Sequence, residues 1–276
     1  MAKIQIPWGR FEPDWSSGHS HEDALALALA STLAYRPTAQ FAGRLGAWGF
    51  GEFQPIEVRK GVDIDTTAFV ASNDEVVLVS FRGSASAANW VANLQAVKEP
   101  GPLTRTRVHE GFQDSMFPAL LETAESVYAL QRAGQGIWVT GHSLGGALAS
   151  LFAAMMLEQG TPIDGLYTFG APRVGNRRFR DQLNDRLSDR PHFRYANHHD
   201  LIPHLPPEPF FHHAGERRLL RPNAGPSAST SLWLRFKKTF GDWFNEITDS
   251  DLVVKDFHLL DTDVGYLPRL VRAAGG

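Results

Sequence analysis

The chain of 276 residues contains no cysteine. That excludes disulfides, thiolate nucleophiles and cysteine-ligated zinc or iron–sulfur centres, and it leaves stability to packing. An excess of positive charge is missing too. With 27 Lys and Arg against 30 Asp and Glu, the formal charge is −3. Nothing here resembles the basic footprint that nucleic-acid backbones require, so nucleic acid is not an expected partner. Long apolar runs are also absent. The longest stretch without charge and mostly apolar, residues 144–157, falls short of the ~20 residues that cross a bilayer. No transmembrane segment is predicted. The opening MAKIQIPWGRFEPDW lacks the apolar centre of a signal peptide. The protein is therefore expected to be soluble, and either cytoplasmic or secreted after removal of a signal segment.

What is present suits one α/β domain over residues 1–276. A hydrophobic content of 43% fills a sizeable core, and no internal repeat interrupts it. Residues 21–35, rich in Ala and Leu with acids in the first turn, predict a helix that Pro37 ends. Residues 43–51, with four glycines and two aromatics, read as a loop. Val76 to Phe81 (VVLVSF) reads as a buried strand that turns at Arg82-Gly83-Ser84. Residues 86–95 predict a short helix, and residues 115–132 a longer one. Strand candidates at 137–140, 165–169 and 192–196 then alternate with helices that start at Ser143 and cover 179–187. That alternation predicts a mostly parallel central sheet flanked by helices. Residues 221–231 form a Pro/Gly/Ser loop, read together with the aromatic run after it as an insertion over 221–247.

One corner asks for a chemical reason. In WVTGHSLGGALASLF a serine sits between glycines after a strand and before a helix of small residues. Gly141-His-Ser143-Leu-Gly145 fits G-x-S-x-G. Composition alone gives that match in roughly one chain in ten of this length, so the setting carries the inference. A strand–turn–helix corner exposes the serine oxygen where helix N-terminal N–H groups stabilise developing negative charge. Its neighbours must be small because the two arms of the chain nearly touch. A serine hydroxyl alone is a weak nucleophile, so an acid and a histidine should follow it. Asp200 lies just past the 192–196 strand, and His258 follows a strand-like run at 252–254. The intervals of 57 and 58 residues leave room for the intervening elements.

GHSLGG, FRGS at 81–84, HEGF at 109–112, TFGAPRVGN at 168–176 and HHDLIPHLPP at 198–207 all occur in this chain, and five such motifs are far more specific than the pentapeptide. Together they resemble the fungal-type, or class 3, lipases of the α/β-hydrolase superfamily. The resemblance implies Ser143 as nucleophile, Asp200 as the residue orienting the imidazole, and His258 as general base and acid. It implies an oxyanion hole from the N–H groups of Leu144 and Ser84, and no cofactor or metal. It also implies a lid over residues 85–95, whose Trp90, Val91 and Leu94 shield an acyl pocket and face lipid when open. Two departures stand out. The segment after FRGS carries Asn89 and Asn93 where acids are common, and Leu259-Leu260-Asp261 follow His258 where an aromatic is common, with Tyr266 later.

The implied function is hydrolysis of ester lipids, a triacylglycerol lipase in transient contact with a lipid–water interface. A phospholipase, feruloyl esterase or short-chain carboxylesterase would use the same three residues. A catalytically silent binding module of the same fold is the alternative of another class. Two further features fall outside this chemistry. Trp233, Phe236, Phe240, Trp243, Phe244 and Ile247 recur at helical spacing, which suits packing on the main domain or docking at an interface. Histidines 198, 199, 204, 212 and 213 crowd Asp200 in sequence. No HExxH helix is present, and the prolines at 203, 206, 207 and 209 predict an extended segment whose side chains diverge, so no metal site is expected.

Overall fold

Four mostly buried segments too short for helices build the centre of the molecule. In the computed structural model, which describes residues 3–60, 64–83, 97–198, 200–221 and 258–275, they are β3 (Val76–Phe81), β6 (Gly136–His142), β7 (Gly165–Phe169) and β8 (His192–Asn197). All pair in parallel, with Val79 beside Val139, Val139 beside Leu166 and Tyr167 beside Phe193. β9 (Glu216–Leu220) extends this parallel block at one edge. At the other, β1 (Glu52–Lys60) and β2 (Ile64–Ser72) add antiparallel strands, giving the order β1-β2-β3-β6-β7-β8-β9. A separate hairpin pairs β4 (Lys98–Pro100) with β5 (Arg107–His109). The sheet is thus mostly parallel, as the alternation predicts. The antiparallel edge is unexpected, because β1 carries Glu, Gln, Arg and Lys in place of a continuous apolar run.

Two layers of helix cover the sheet. On one face α3 (Glu110–Leu130) and α4 (Leu144–Glu158) enclose a core that includes Val79, Phe81, Val139, Leu148, Leu151 and Phe152. Each such large side chain contributes about 1.5–3 kcal/mol on leaving water. On the other face α1 (His21–Leu33) is buried almost all round, which explains its unbroken Ala/Leu pattern, and it packs against α6 (Tyr266–Ala273). α5 (Arg177–Arg186) lies beyond β5, capped by the Asn176 side chain accepting from the Phe179 N–H. The α1 and α6 layer sets the position of two tyrosines, since α1 ends just before Tyr35 and α6 begins with Tyr266.

Three sequence expectations are corrected. Residues 43–51 are not all loop: α2 (Phe41–Ala47) forms because Phe41 and Leu45, four residues apart, are both buried, and that packing overrides Gly43 and Gly46. α3 begins at Glu110, five residues before the predicted start, and runs through Pro118. The segment after Asp200 is not extended, since Ile202–His204 form a 3-10 turn and residues 208–210 turn again. The remaining helix and strand predictions for 165–169, 179–187 and 192–196 agree to within two residues at each end. The expected lid at 85–95, the strand-like run at 252–254 and the aromatic run from Trp233 to Ile247 lie outside the described residues, as do Ser84, Trp90, Val91 and Leu94. Among the described residues no helix is long and apolar enough to cross a membrane.

Candidate active site

Ser143 joins β6 to α4 at φ 58 and ψ −130. A side-chain-bearing residue held in such sparsely populated backbone space costs on the order of 1–3 kcal/mol. Backbone bonds hold it there. The Ser143 N–H donates to the Phe169 carbonyl of β7 at 2.9 Å, and its own carbonyl accepts from the Gly146 N–H at 2.9 Å. The flanking glycines are required by contact. A methyl at Gly141 would strike the Gly145 carbonyl, and one at Gly145 would lie 2.7 Å from the Arg82 carbonyl carbon and 2.8 Å from the Gly83 nitrogen. β3 therefore ends against the turn. A Cβ on Gly83 would come within 3.1 Å of Ser143 Cβ, so the chain that leads into Ser84 starts beside the serine. Leu144 opens α4, so its N–H is one of the first-turn donors without an intrahelical acceptor.

Asp200 and His258 meet 58 residues apart in sequence. His258 Nδ1 lies 2.8 Å from Asp200 Oδ2, and both side chains are buried. A carboxylate accepts here, so Nδ1 carries a proton, which in the neutral ring leaves the lone pair on Nε2. Asp200 is fully satisfied: Oδ2 also accepts from the Tyr266 hydroxyl at 2.6 Å, and Oδ1 accepts from the Ile202 N–H at 2.9 Å. The Tyr266 oxygen in turn accepts from the Asn197 N–H at 3.0 Å. Burial, followed by the Asp200 charge, holds the Tyr266 hydroxyl well above its ordinary pKa, so it stays a donor. Gly170, at φ 59, brings β7 against this group. A Cβ there would sit 2.9 Å from Asp200 Oδ2 and 3.1 Å from His258 Cε1.

A second chain of hydrogen bonds ties the histidine to the serine turn. His142, the residue before Ser143, contacts the His258 carbonyl through Nε2 at 2.7 Å and the Tyr35 hydroxyl through Nδ1 at 3.0 Å. A carbonyl accepts only, so Nε2 is the protonated nitrogen and the tyrosine donates to Nδ1. Burial first, and the nearby His258 second, push His142 well below the ordinary histidine range, which keeps it neutral. The two imidazole rings pack with centroids 4.6 Å apart. Ser143 Oγ and His258 Nε2 are both buried and make no hydrogen bond among the described residues. A serine–imidazole bond is often long in a free site and tightens when substrate arrives.

Sequence reasoning thus named Ser143, Asp200, His258 and Leu144, and the structure brings all of them to one edge of the sheet. It missed Tyr35, His142, Gly170 and Tyr266. His142 was in plain view as the variable residue of the pentapeptide, and Tyr266 as the aromatic that comes later than usual after His258. The nearby His213 is otherwise engaged, its Nε2 donating to the Pro203 carbonyl at 2.6 Å, while His258 holds Asp200. Among the described residues no group of three or more His, Asp or Glu forms a metal-sized cluster.

The sequence model of the family described as Lipase (class 3) matches residues 78–210, which include the serine turn and Asp200. A lipase from Rhizomucor miehei is 38% identical over 170 residues, 58% of this chain and 46% of that protein. The secreted mono- and diacylglycerol lipase 1 of Fusarium solani is 34% identical over 145 residues, 51% of this chain and 43% of that protein. The chain thus spans about half the length of the curated relatives it matches. A solved structure of the Rhizomucor miehei triacylglyceride lipase superimposes with a TM-score of 0.59 at 31% identity, covering 71% of this chain and 78% of that one. Sequence motifs, sheet order and overall likeness converge, and the chain belongs to the class 3 lipase family.

Proposed function

We propose that the chain is a carboxylic-ester hydrolase, a triacylglycerol lipase in the broad sense, working through an acyl-enzyme on Ser143 at a lipid–water interface. One observation carries this reading: a buried carboxylate–imidazole pair, Asp200 and His258 at 2.8 Å, beside a serine held at positive φ on a strand–helix corner. His258 Nε2 takes the Ser143 proton as Oγ attacks the ester carbonyl, then gives it to the leaving alcohol. The same cycle with water releases the acid. Asp200 fixes the tautomer and stabilises the imidazolium. The Leu144 N–H receives the developing oxyanion, joined by the N–H of Ser84, whose neighbour Gly83 abuts the serine. Removing a donor of this kind typically costs on the order of 100-fold in turnover.

The proposal extends to one domain over residues 1–276, a lid at 85–95 with Trp90, Val91 and Leu94 over the acyl pocket, and an insertion at 221–247. Sequence likeness supports the lid. The names of the relatives, a lipase and a secreted mono- and diacylglycerol lipase, support acylglycerols as substrates and secretion as the destination. The intact carboxylate–imidazole pair favours catalysis over a silent binding module. The test is the initial rate on tributyrin as its concentration passes the solubility limit, with Ser143→Ala as the blank. A jump at the limit is expected for a lid opened by an interface. Ordinary saturation below the limit would argue against a gating lid, and no difference from Ser143→Ala would overturn the lipase.

A further inference from the structure

Beyond Asp200 the sheet carries a group of charges that ester hydrolysis does not use. Arg194 on β8 lies directly beside Arg217 on β9 in the parallel ladder, so their side chains leave the same face of the sheet. Arg173 comes from the segment after β7, three residues past Gly170. Its Nη1 donates to the carbonyls of His204 and of Pro206, the latter at 3.0 Å, which fixes its guanidinium under the turn that follows Asp200. Arg194 feels the other two: it is held down to about 10 by burial first, then by Arg217 and Arg173. Arg194 Nε is buried with no acceptor among the described residues.

The counter-charge is small. Among the described residues Glu208 is the one carboxylate that acts on Arg194, and it stands 3.6 Å from Arg173 Nε at the exposed rim. The histidines alongside add no charge of either sign near neutrality. His213 is pushed well below its ordinary range by burial and by Arg194, and His204 is lowered by burial and by Arg173. Among the described residues, three guanidinium groups stand against a single carboxylate. Arg194 is partly buried, and partly burying a charge without an anion is costly. A doubly charged phosphate, inorganic or a monoester, carries about −1.5 to −2 at neutral pH and three oxygens that match guanidinium forks. A carboxylate or a phosphodiester supplies a single charge.

We propose that Arg194 and Arg217, backed by Arg173, form an oxyanion site for a terminal phosphate group, adjacent to the hydrolytic site and distinct from it. His204 feels the charges of Asp200 and of all three arginines, and its carbonyl accepts from Arg173 Nη1. The phosphate comes either free from solution or as the monoester headgroup of a phosphatidate-type lipid, and the two sources predict different results with vesicles.

The test uses the full chain in the Ser143→Ala background, so that its outcome does not depend on turnover. Titration calorimetry with inorganic phosphate, against chloride at matched ionic strength, should show one site. Arg217→Ala, an exposed edge-strand change compatible with folding, should weaken binding at least about tenfold, as expected for loss of a charge-assisted fork. Arg194→Gln should do the same or more. Glu208→Gln should tighten binding, and Arg132→Ala, at the opposite edge beside Glu52, should leave it unchanged. Sedimentation with phosphatidylcholine vesicles, with and without phosphatidate, then separates the sources. Phosphatidate-dependent binding that inorganic phosphate competes away assigns the site to lipid, and its absence alongside soluble phosphate binding assigns it to the free ion. No phosphate binding beyond chloride, or binding that survives Arg217→Ala and Arg194→Gln in folded protein, overturns the site.

Discussion

The two halves of the candidate active site are held by different physics. The serine half is local. Residues 141–146 make a turn whose geometry is enforced by backbone contacts, with glycines at 141 and 145 because any Cβ would collide with main chain. The acid–base half is assembled from afar. Asp200, His142, Tyr35 and Tyr266 come from the ends of β8, β6, α1 and α6 and His258 from the segment before α6, and hydrogen bonds of 2.6–3.0 Å connect them. The first half stores strain and tolerates almost no change in volume. The second is a satisfied polar network in a dry setting, where losing one member leaves its partner unpaired. The first should therefore break in stability, and the second in protonation and orientation.

That contrast can be broken from either side. The largest effect is expected from Asp200→Asn, which keeps the shape but lets His258 take the wrong tautomer. Turnover should fall roughly 10⁴-fold with little change in KM, and a loss under tenfold would mean that Asp200 does not fix the imidazole. Next comes Gly145→Ala. Its methyl meets main-chain atoms of residues 81–83 that have nowhere to go, so destabilisation of about 3 kcal/mol or more is expected in urea unfolding. Wild-type stability would show that the serine turn is looser than its contacts indicate. Tyr266→Phe removes one hydrogen bond to a buried carboxylate, a change of about 1.5–3 kcal/mol. Its signature is a shifted acid limb of the rate profile with the fold retained, and an unmoved profile would reduce Tyr266 to packing.

The smallest effect concerns acid stability. His142 is held below its ordinary range when folded and takes a proton freely when unfolded. Its contribution is fully present above the ordinary value of 6.5 and is lost as pH falls below it toward the folded value. The cost is up to about 1.4 kcal/mol per pH unit for each such group. The partly exposed His192 and His213 act in the same direction. Melting temperature should fall between pH 7 and 5, and His142→Asn should flatten part of that slope if it folds. A level melting temperature would contradict neutral burial of His142.

The same contrast explains what could be read from the sequence. The serine turn was legible because its constraint is local: β-formers, then small residues, then a helix, in fifteen consecutive positions. The parallel block was legible because buried strands such as VVLVSF and GLYTF stand out by composition. The antiparallel edge was not, since β1 is half exposed and reads as polar. α2 was hidden by glycines whose cost is offset by Phe41 and Leu45. Tyr35 and Tyr266 were illegible as site residues because nothing near them in sequence hints at a partner 107 or 66 residues away. Long-range polar pairing leaves no local signature, and the Arg194 and Arg217 pair belongs to the same class.

The central claim is that Ser143 is a nucleophile activated by His258 and Asp200. A fluorophosphonate probe followed by peptide mass spectrometry tests it most directly. One covalent adduct is expected on Ser143, absent in Ser143→Ala and formed far more slowly in Asp200→Asn and His258→Ala. Labelling at another serine, or labelling of Ser143 at an unchanged rate in those two variants, would contradict it.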